Sequence, residues 1–367
     1  MRILLTADTV GGVWTYAQEL VTGLVRRGLE VTLVSFGEMP ELAQTRWTEG
    51  LHGLDFRPTP FRLEWMQDAA SDIRESSEYL LNIIRETGPD LLHFSQYCYG
   101  ALPVDVPKII TAHSDVVSWW QAVHGEDPPD SDWSRWYSDT VAAGLDGAYA
   151  VIAPSRWMLS QIEENYGALN NPTVIYNGRT PQHFNAHAEK QDRVVSIGRI
   201  WDEAKQVSLL AGSELTCPIT IAGSLESPEQ LGSAADRPFS KSIELRDKLN
   251  SSQVRSLLAD ASIYAATSRY EPFGLAPLEA ALSRCALVAN DIPSFRELWG
   301  PTALYFSAND AQELRAAVQK LRSDPLLRRH YSELAHQRAR RLFTADAMVD
   351  EYLILYRSLV PERSMAA

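Results

Sequence analysis

Apolar residues recur along this chain in two alternating patterns. Short runs rich in β-branched and leucine residues, such as "RILLTAD" and "EVTLVSF", are separated by longer stretches like "WTYAQELVTGLVRRG", where apolar positions return every three or four residues. The first pattern predicts buried strands, the second amphipathic helices, and their alternation predicts parallel sheets covered by helices. Further strands are predicted at "DLLHFS", "KIITAH", "AYAVIAP" and "TVIYNG", with a helix at "RWMLSQIEENYG" ending on its glycine. The polar segment "RTPQHFNAHAEKQD" contains a proline, lacks periodicity and reads as an interdomain linker. Beyond it the alternation resumes, with strands at "RVVSIGRI", "PITIAGS", "SIYAATS" and "ALVAND" and helices at "SSQVRSLLADA" and "LAPLEAALSRC". Three helical stretches close the chain, the last being "ADAMVDEYLILYRSLV". The expected architecture is α/β, with two doubly wound domains over residues 1–178 and 190–345. They are expected to face each other across a cleft at the carboxyl ends of both sheets, where open α/β sheets bind ligands.

Length and composition agree with that picture. A chain of 367 residues is too long for one ordinary core and suits two domains of about 150 to 200 residues. Apolar residues at 45% and charged residues at 22% are the balance of a soluble globular enzyme. The net charge of −13 repels phosphate backbones and anionic lipid, so nucleic acid is not expected as a partner and any membrane association should be peripheral. Cys98, Cys217 and Cys285 form no CxxC pair, which suggests reduced thiols rather than disulfides or zinc ligands. The first apolar run meets Asp8 too soon for a signal peptide, and no stretch has the length of a membrane span. A cytoplasmic location is the expectation.

Candidate chemistry concentrates in "RYEPFGLAPLEAA", residues 269–281. This stretch follows a predicted strand, and Pro277 can begin the next helix because its missing N–H would be unpaired there. Glu271 then falls in the turn and Glu279 in the first helical turn. The backbone N–H groups of Phe273, Gly274 and Leu275 can be directed at an anion, aided by the helix dipole. A glutamate in a first turn is often only a dipole stabiliser, and Glu279 alone would bear that reading; an acid before proline in a glycine turn neither caps nor packs well. Near the N-terminus, Gly11 and Gly12 permit close backbone approach but do not make a GxGxxG fingerprint. His113 ends the strand "KIITAH" on the ligand side, although a strand-end histidine is often structural. Asp130 and Asp132 in "PPDSDW" lack the apolar strand that a metal-binding Asp-x-Asp needs, so helix capping by Ser131 or Asp132 is expected and no metal. Trp119, Trp120, Trp133 and Trp136 could stack on sugar rings, though helical packing is the simpler account.

"EPFGLAPLE" resembles the E-x7-E element of retaining GT-B glycosyltransferases of the family 4, or group 1, type. The similarity extends to "GGVWTYAQELVTGLVRRGLEVTLV", "APSRWM", "VIYNG" and "SIGRIWDEAKQ", in the family's order and spacing. The resemblance implies a GT-B fold of two Rossmann-like domains, with the final helix, 346–362, crossing back onto the first. It implies that Glu271 touches the hydroxyls of the donor sugar and Glu279 those of the ribose. Arg199 and Lys205 match the pair that neutralises the departing diphosphate, His113 matches a histidine beside the donor sugar, and Gly11 and Gly12 match the loop near donor phosphates or acceptor. No cofactor is implied beyond a nucleotide sugar as co-substrate, with UDP-hexose first and GDP-mannose next, and a saccharide or glycoconjugate as acceptor. Two other readings stay open: a phosphorylase or nucleotide-sugar epimerase on the same fold, and a catalytically silent sugar-nucleotide binding module.

Overall fold

A computed structural model describes residues 1–225 and 243–360. The chain divides into two compact units: Met1–Trp120, Glu126–Gly178 and the chain from Ala345 form the first, and Gln121–Gly125 with Arg179–Thr344 form the second.

The first unit holds a seven-stranded sheet, β1 (Arg2–Asp8), β2 (Glu30–Phe36), β3 (Leu54–Pro58), β4 (Leu91–Phe94), β5 (Lys108–Thr111), β6 (Ala150–Ala153) and β7 (Thr173–Val174). The order is β3-β2-β1-β4-β5-β6-β7 and every pairing is parallel. Its helices are α1 (Gly12–Arg26), α2 (Leu42–Thr45), α3 (Ala70–Thr87), α4 (Val116–His124), α5 (Asp132–Gly147) and α6 (Arg156–Tyr166); α4 ends in the stretch counted with the second unit. The strand order reverses between β1 and β4, which makes their carboxyl ends the switch point where such sheets bind ligands. β1 shows why the unbroken apolar run was needed: its five central residues are all buried, because helices cover both faces.

The second unit repeats the plan with β8 (Gln191–Ile197), β9 (Ile219–Ala222), β10 (Ile243–Arg246), β11 (Ala261–Ala266), β12 (Ala286–Asn290) and β13 (Leu304–Phe306). These also pair in parallel, in the order β10-β9-β8-β11-β12-β13. The helices are α7 (Ser208–Gly212), α8 (Ser251–Asp260), α9 (Leu275–Leu282), α10 (Pro293–Trp299), α11 (Ala311–Ser323) and α12 (Pro325–Leu342). Here the switch point lies between β8 and β11. The helix α13 (Ala345–Leu359) returns to the first unit; residues 361 and 362 of the expected terminal helix lie outside the described residues.

Several expectations need correction. The segment read as a linker is not loose throughout: Arg179 is buried, its N–H donates to the Phe343 carbonyl at 3.1 Å, and it bridges to Thr344. β5 ends at Thr111, so His113 stands two residues past the strand. α9 begins at Leu275, with Gly274 as its N-cap at φ 86°. Glu279 therefore lies in the second turn, not the first. Pro277 sits at the third helical position, where its absent N–H is still one of the helix's unpaired donors. The strands β3, β10 and β13 and the helices α3 and α10 carried patterns too short or too polar to stand out.

α13 packs on α1 through Met348, Val349, Leu353 and neighbouring residues, in the core that also holds β1 and β4. Gly23 of α1 allows the approach, since a Cβ there would stand 2.5 Å from Val349 Cγ2. Gly23→Ala should therefore destabilise the protein: a helix-propensity gain of about 1 kcal/mol is outweighed by overpacking that costs about 1–3 kcal/mol. In a Val349→Ala background the same change should become neutral or favourable. Urea unfolding of the four chains measures this coupling, and a more stable Gly23→Ala single variant would contradict the packing.

Candidate active site

In the second unit the ligand edge is built from the segments that follow β8 and β11. After β8 the chain runs through Gly198, Arg199 and Asp202 to Lys205. Gly198 leaves room for Lys205, whose Cγ and Cδ would lie 3.3 Å from a Cβ at that position. Gly223, at φ 150°, is tighter still, because a Cβ there would fall 1.9 Å from the Gly198 carbonyl oxygen. Only glycine lets the loops after β8 and β9 come so close.

Lys205 Nζ donates to Glu271 Oε2 at 2.7 Å, and Ser268 Oγ donates to the same oxygen at 3.0 Å. The Lys205 backbone carbonyl accepts from Thr267 Oγ1 at 2.8 Å. Both members of the ion pair are largely withdrawn from water, with side chains 19% and 13% exposed. Arg199 lies alongside with 36% of its side chain exposed, donating to Asp202 Oδ2 at 2.6 Å, with its guanidinium 5.1 Å from the Trp201 ring centroid. Burial alone would raise the pKa of Asp202; Arg199 and Lys205 outweigh it and hold the carboxyl below its ordinary value. Asp202 also accepts from the Ala204 N–H at 3.0 Å, which fixes the turn that carries Lys205.

Glu279 does not join this group. Its carboxylate is ion-paired with Arg179 Nε at 2.9 Å, and Arg179 is 5% exposed. Phe273 contributes to the turn through its backbone, because its ring is buried edge-on against Phe343 at 5.4 Å. By helix geometry the N–H groups of Leu275 and Ala276 have no intrahelical acceptor and lie at the positive end of α9.

In the first unit, Gly11 is the N-cap of α1 at φ 78° and Gly12 its first residue. Asp8 Oδ1 accepts from the Val10 N–H at 2.9 Å, and Thr9 Oγ1 donates to the Glu38 carbonyl at 2.7 Å, which ties this loop to the end of β2. His113 Nε2 is 3.4 Å from Ser95 Oγ, and its ring meets Tyr16 edge-on, with centroids 4.4 Å apart. Beneath it His93 is fully buried, and burial, followed by repulsion from His113, pushes its pKa down to about 3. His113 keeps an exposed fraction and is pushed the same way by burial.

The other candidates resolve into structure. Ser131 caps α5 by accepting from the Ser134 N–H, and Asp130 and Asp132 both pair with Arg135. Trp133 stacks on Tyr137 and donates to the Met66 carbonyl, while Trp119 and Trp120 lie edge-on to each other at 6.1 Å. The sequence reading missed Asp202, Ser268 and Arg179. Asp202 and Ser268 stand three residues before Lys205 and Glu271, but nothing in the spacing marks them, and Arg179 was hidden in the polar segment.

The histidines give a test of the electrostatics. Below pH 6.5 the unfolded chain takes up protons that the folded imidazoles refuse, so these groups lower stability as pH falls from 6.5 toward 3. Histidine-selective NMR of the folded protein should show His93 and His113 neutral at pH 5, and a midpoint near 6.5 for either would contradict the burial described.

Residues 10–183 match the Glycosyltransferase Family 4 profile and residues 179–338 the Glycosyl transferases group 1 profile. Among similar proteins, the alpha-maltose-1-phosphate synthase of Mycolicibacterium smegmatis is 26% identical over 303 residues, covering 73% of this chain and 76% of that one. O-antigen chain mannosyltransferase C of Escherichia coli is 22% identical and covers 97% of both chains. Among solved structures, the sucrose-phosphate synthase of Thermosynechococcus elongatus aligns with a TM-score of 0.79 at 17% identity over 98% of this chain and 99% of that one. Anabaena HepE, in complex with UDP-glucose, aligns at 0.74 and 16% over 98% and 100%. With two parallel-sheet units in the GT-B fold and both family profiles in register, the chain belongs to the family 4, group 1 glycosyltransferases.

Proposed function

We propose that this protein transfers a hexose from a nucleotide sugar to an acceptor hydroxyl with retention of configuration. UDP-hexose is the first donor to test and GDP-mannose the second. The observation that carries the reading is the Lys205–Glu271 pair at the ligand edge of the second sheet. Withdrawing two opposite charges from water costs about as much as their attraction returns. Such a pair at a switch point is explained by a ligand that uses both signs, and a nucleotide sugar offers a diphosphate to the cation and hydroxyls to the acid.

In the proposed reaction the acceptor oxygen forms a bond to the anomeric carbon as the bond from that carbon to the diphosphate breaks. The proton of the acceptor hydroxyl passes to the departing phosphate oxygen on the same face. Negative charge builds on the diphosphate, and Arg199, Lys205 and the first-turn N–H groups of α9 stabilise it. Arg199 supplies a planar fork held by Asp202, and Lys205 a compact charge. Glu271 orients the hexose, Glu279 receives the ribose hydroxyls, and His113, held neutral, hydrogen-bonds a hydroxyl of the donor sugar. The loop at Gly11 and Gly12 gives backbone access to phosphate or acceptor. No step calls on a metal ion, because the two side-chain cations carry the charge.

The relatives support hexose chemistry: one is named for maltose 1-phosphate synthesis, another for mannosyl transfer, and a structural neighbour was crystallised with UDP-glucose. A setting in polysaccharide or glycoconjugate synthesis follows from the same names.

Arg199→Ala and Lys205→Ala should each remove about 2–4 kcal/mol of transition-state stabilisation. A folded double variant with near-normal turnover would defeat the assignment, as would collapse of activity in excess EDTA defeat metal independence. Calorimetry separates the two acids. Glu279→Gln should weaken UDP and UDP-glucose alike, or GDP and GDP-mannose, whereas Glu271→Gln should spare the diphosphate and lower kcat/KM for transfer. Equal losses of diphosphate affinity, with no selective loss of transfer in Glu271→Gln, would reduce the turn to a structural anion nest.

A further inference from the structure

A row of polar side chains runs through the apolar core of the first unit and ends at His113. Tyr356 Oη of α13 lies 2.6 Å from His93 Nδ1, and His93 Nε2 lies 2.7 Å from Thr111 Oγ1 of β5. Thr111 Oγ1 is 3.0 Å from Tyr352 Oη, again on α13. Tyr16 Oη of α1 is 3.4 Å from His93 Nε2, and the Tyr16 ring stands edge-on to His113. His93, Thr111, Tyr16, Tyr352 and Tyr356 are all essentially buried.

Docking α13 does not require this row. Met348, Val349 and Leu353 already give the helix an apolar seam against α1 and the sheet, and a buried polar network is favourable only when every member is satisfied. What hydrogen bonds add is direction. An apolar contact tolerates small rotations, whereas a chain of short hydrogen bonds fixes the angle of each ring it passes through. The last ring the chain reaches is Tyr16, through a longer contact of 3.4 Å to His93 Nε2, and the Tyr16 edge meets His113, whose Nε2 also stands beside Ser95.

We propose that Tyr16 is a positioning residue for His113, and that Tyr356 sets it from the C-terminal helix through His93. The register of α13 is thereby built into the orientation of the imidazole. This rests on His113 contacting the donor sugar, and its test includes a readout that does not depend on that reading.

The experiment uses the full chain, labelled at histidine, with Tyr356→Phe as the nearly isosteric variant and Val349→Ala as a control on the same helix. In Tyr356→Phe the His113 ring signals should shift. The kcat for release of nucleoside diphosphate from UDP-glucose or GDP-mannose should fall about 5- to 20-fold, the scale of a small misplacement of a reacting group. KM should stay within about twofold, because ground-state binding is not what is lost. Val349→Ala should lower Tm at least as much yet leave the His113 signals and kcat where they are. Unmoved His113 signals in Tyr356→Phe, or equal changes in both variants, would overturn the proposal. Shifted signals with unchanged kcat would also overturn it as a catalytic device. His113→Ala with full turnover would then place the error in the role given to His113, not in the coupling.

Discussion

A charge taken out of water must find an opposite charge, and that requirement organises the ligand edge of the second unit. Two pairs answer it there, Lys205 with Glu271 and Arg199 with Asp202, and a third, Arg179 with Glu279, answers it separately on α9. None is a stability device of the surface kind, where exposed pairs contribute little. Each has at least one member mostly buried, so each acid holds a cation in place. The glycines at 198 and 223 serve the same end, since they let the loops close around Lys205 without a Cβ in the way. A ligand bearing a diphosphate would enter an edge where positive charge is already fixed and need not be recruited.

The first unit answers its own edge in the opposite manner. His93 is fully buried and His113 partly so, and burial holds both neutral. Their partners are hydroxyls: Thr111, Tyr356 and, more distantly, Tyr16 for His93, and Ser95 for His113. The first unit thus keeps neutral hydrogen-bonding groups at the place where the second keeps paired charges, on one repeated plan of parallel strands.

This difference explains what could be read in advance. The strands β1, β2, β11 and β12 were visible because a sheet covered on both faces demands unbroken apolar runs. Glu271 was visible because an acid before proline in a glycine turn neither caps nor packs well, whereas Arg199 and Lys205 were visible only through the resemblance of "SIGRIWDEAKQ" to the family's element. The row from Tyr16 to Tyr356 was not legible, since tyrosine, threonine and histidine are ordinary core and helix residues whose partnership depends on contacts 18 to 263 residues apart. The start of α9 was misplaced for a related reason. Pro277 can be the first helical residue, but equally the third, and only the backbone of Gly274 at φ 86° decides between them. That two-residue shift moves Glu279 away from the helix end, which weakens its explanation as a dipole stabiliser and leaves its pairing with Arg179 to account for its charge.

Arg179 connects this local result to the architecture. The long stretch of the second unit begins at Arg179 and ends at Thr344, and these two residues are bridged. The side chain of the first reaches Glu279, while the ring of Phe343, next to the second, packs on Phe273. Both ends of the unit are thus fastened to the turn and helix that carry the two acids. A polar composition had marked residue 179 as the start of a linker, yet an arginine buried against a glutamate belongs to the site's support. The same charge rule that sets Lys205 on Glu271 therefore also fixes where the chain enters and leaves the second unit.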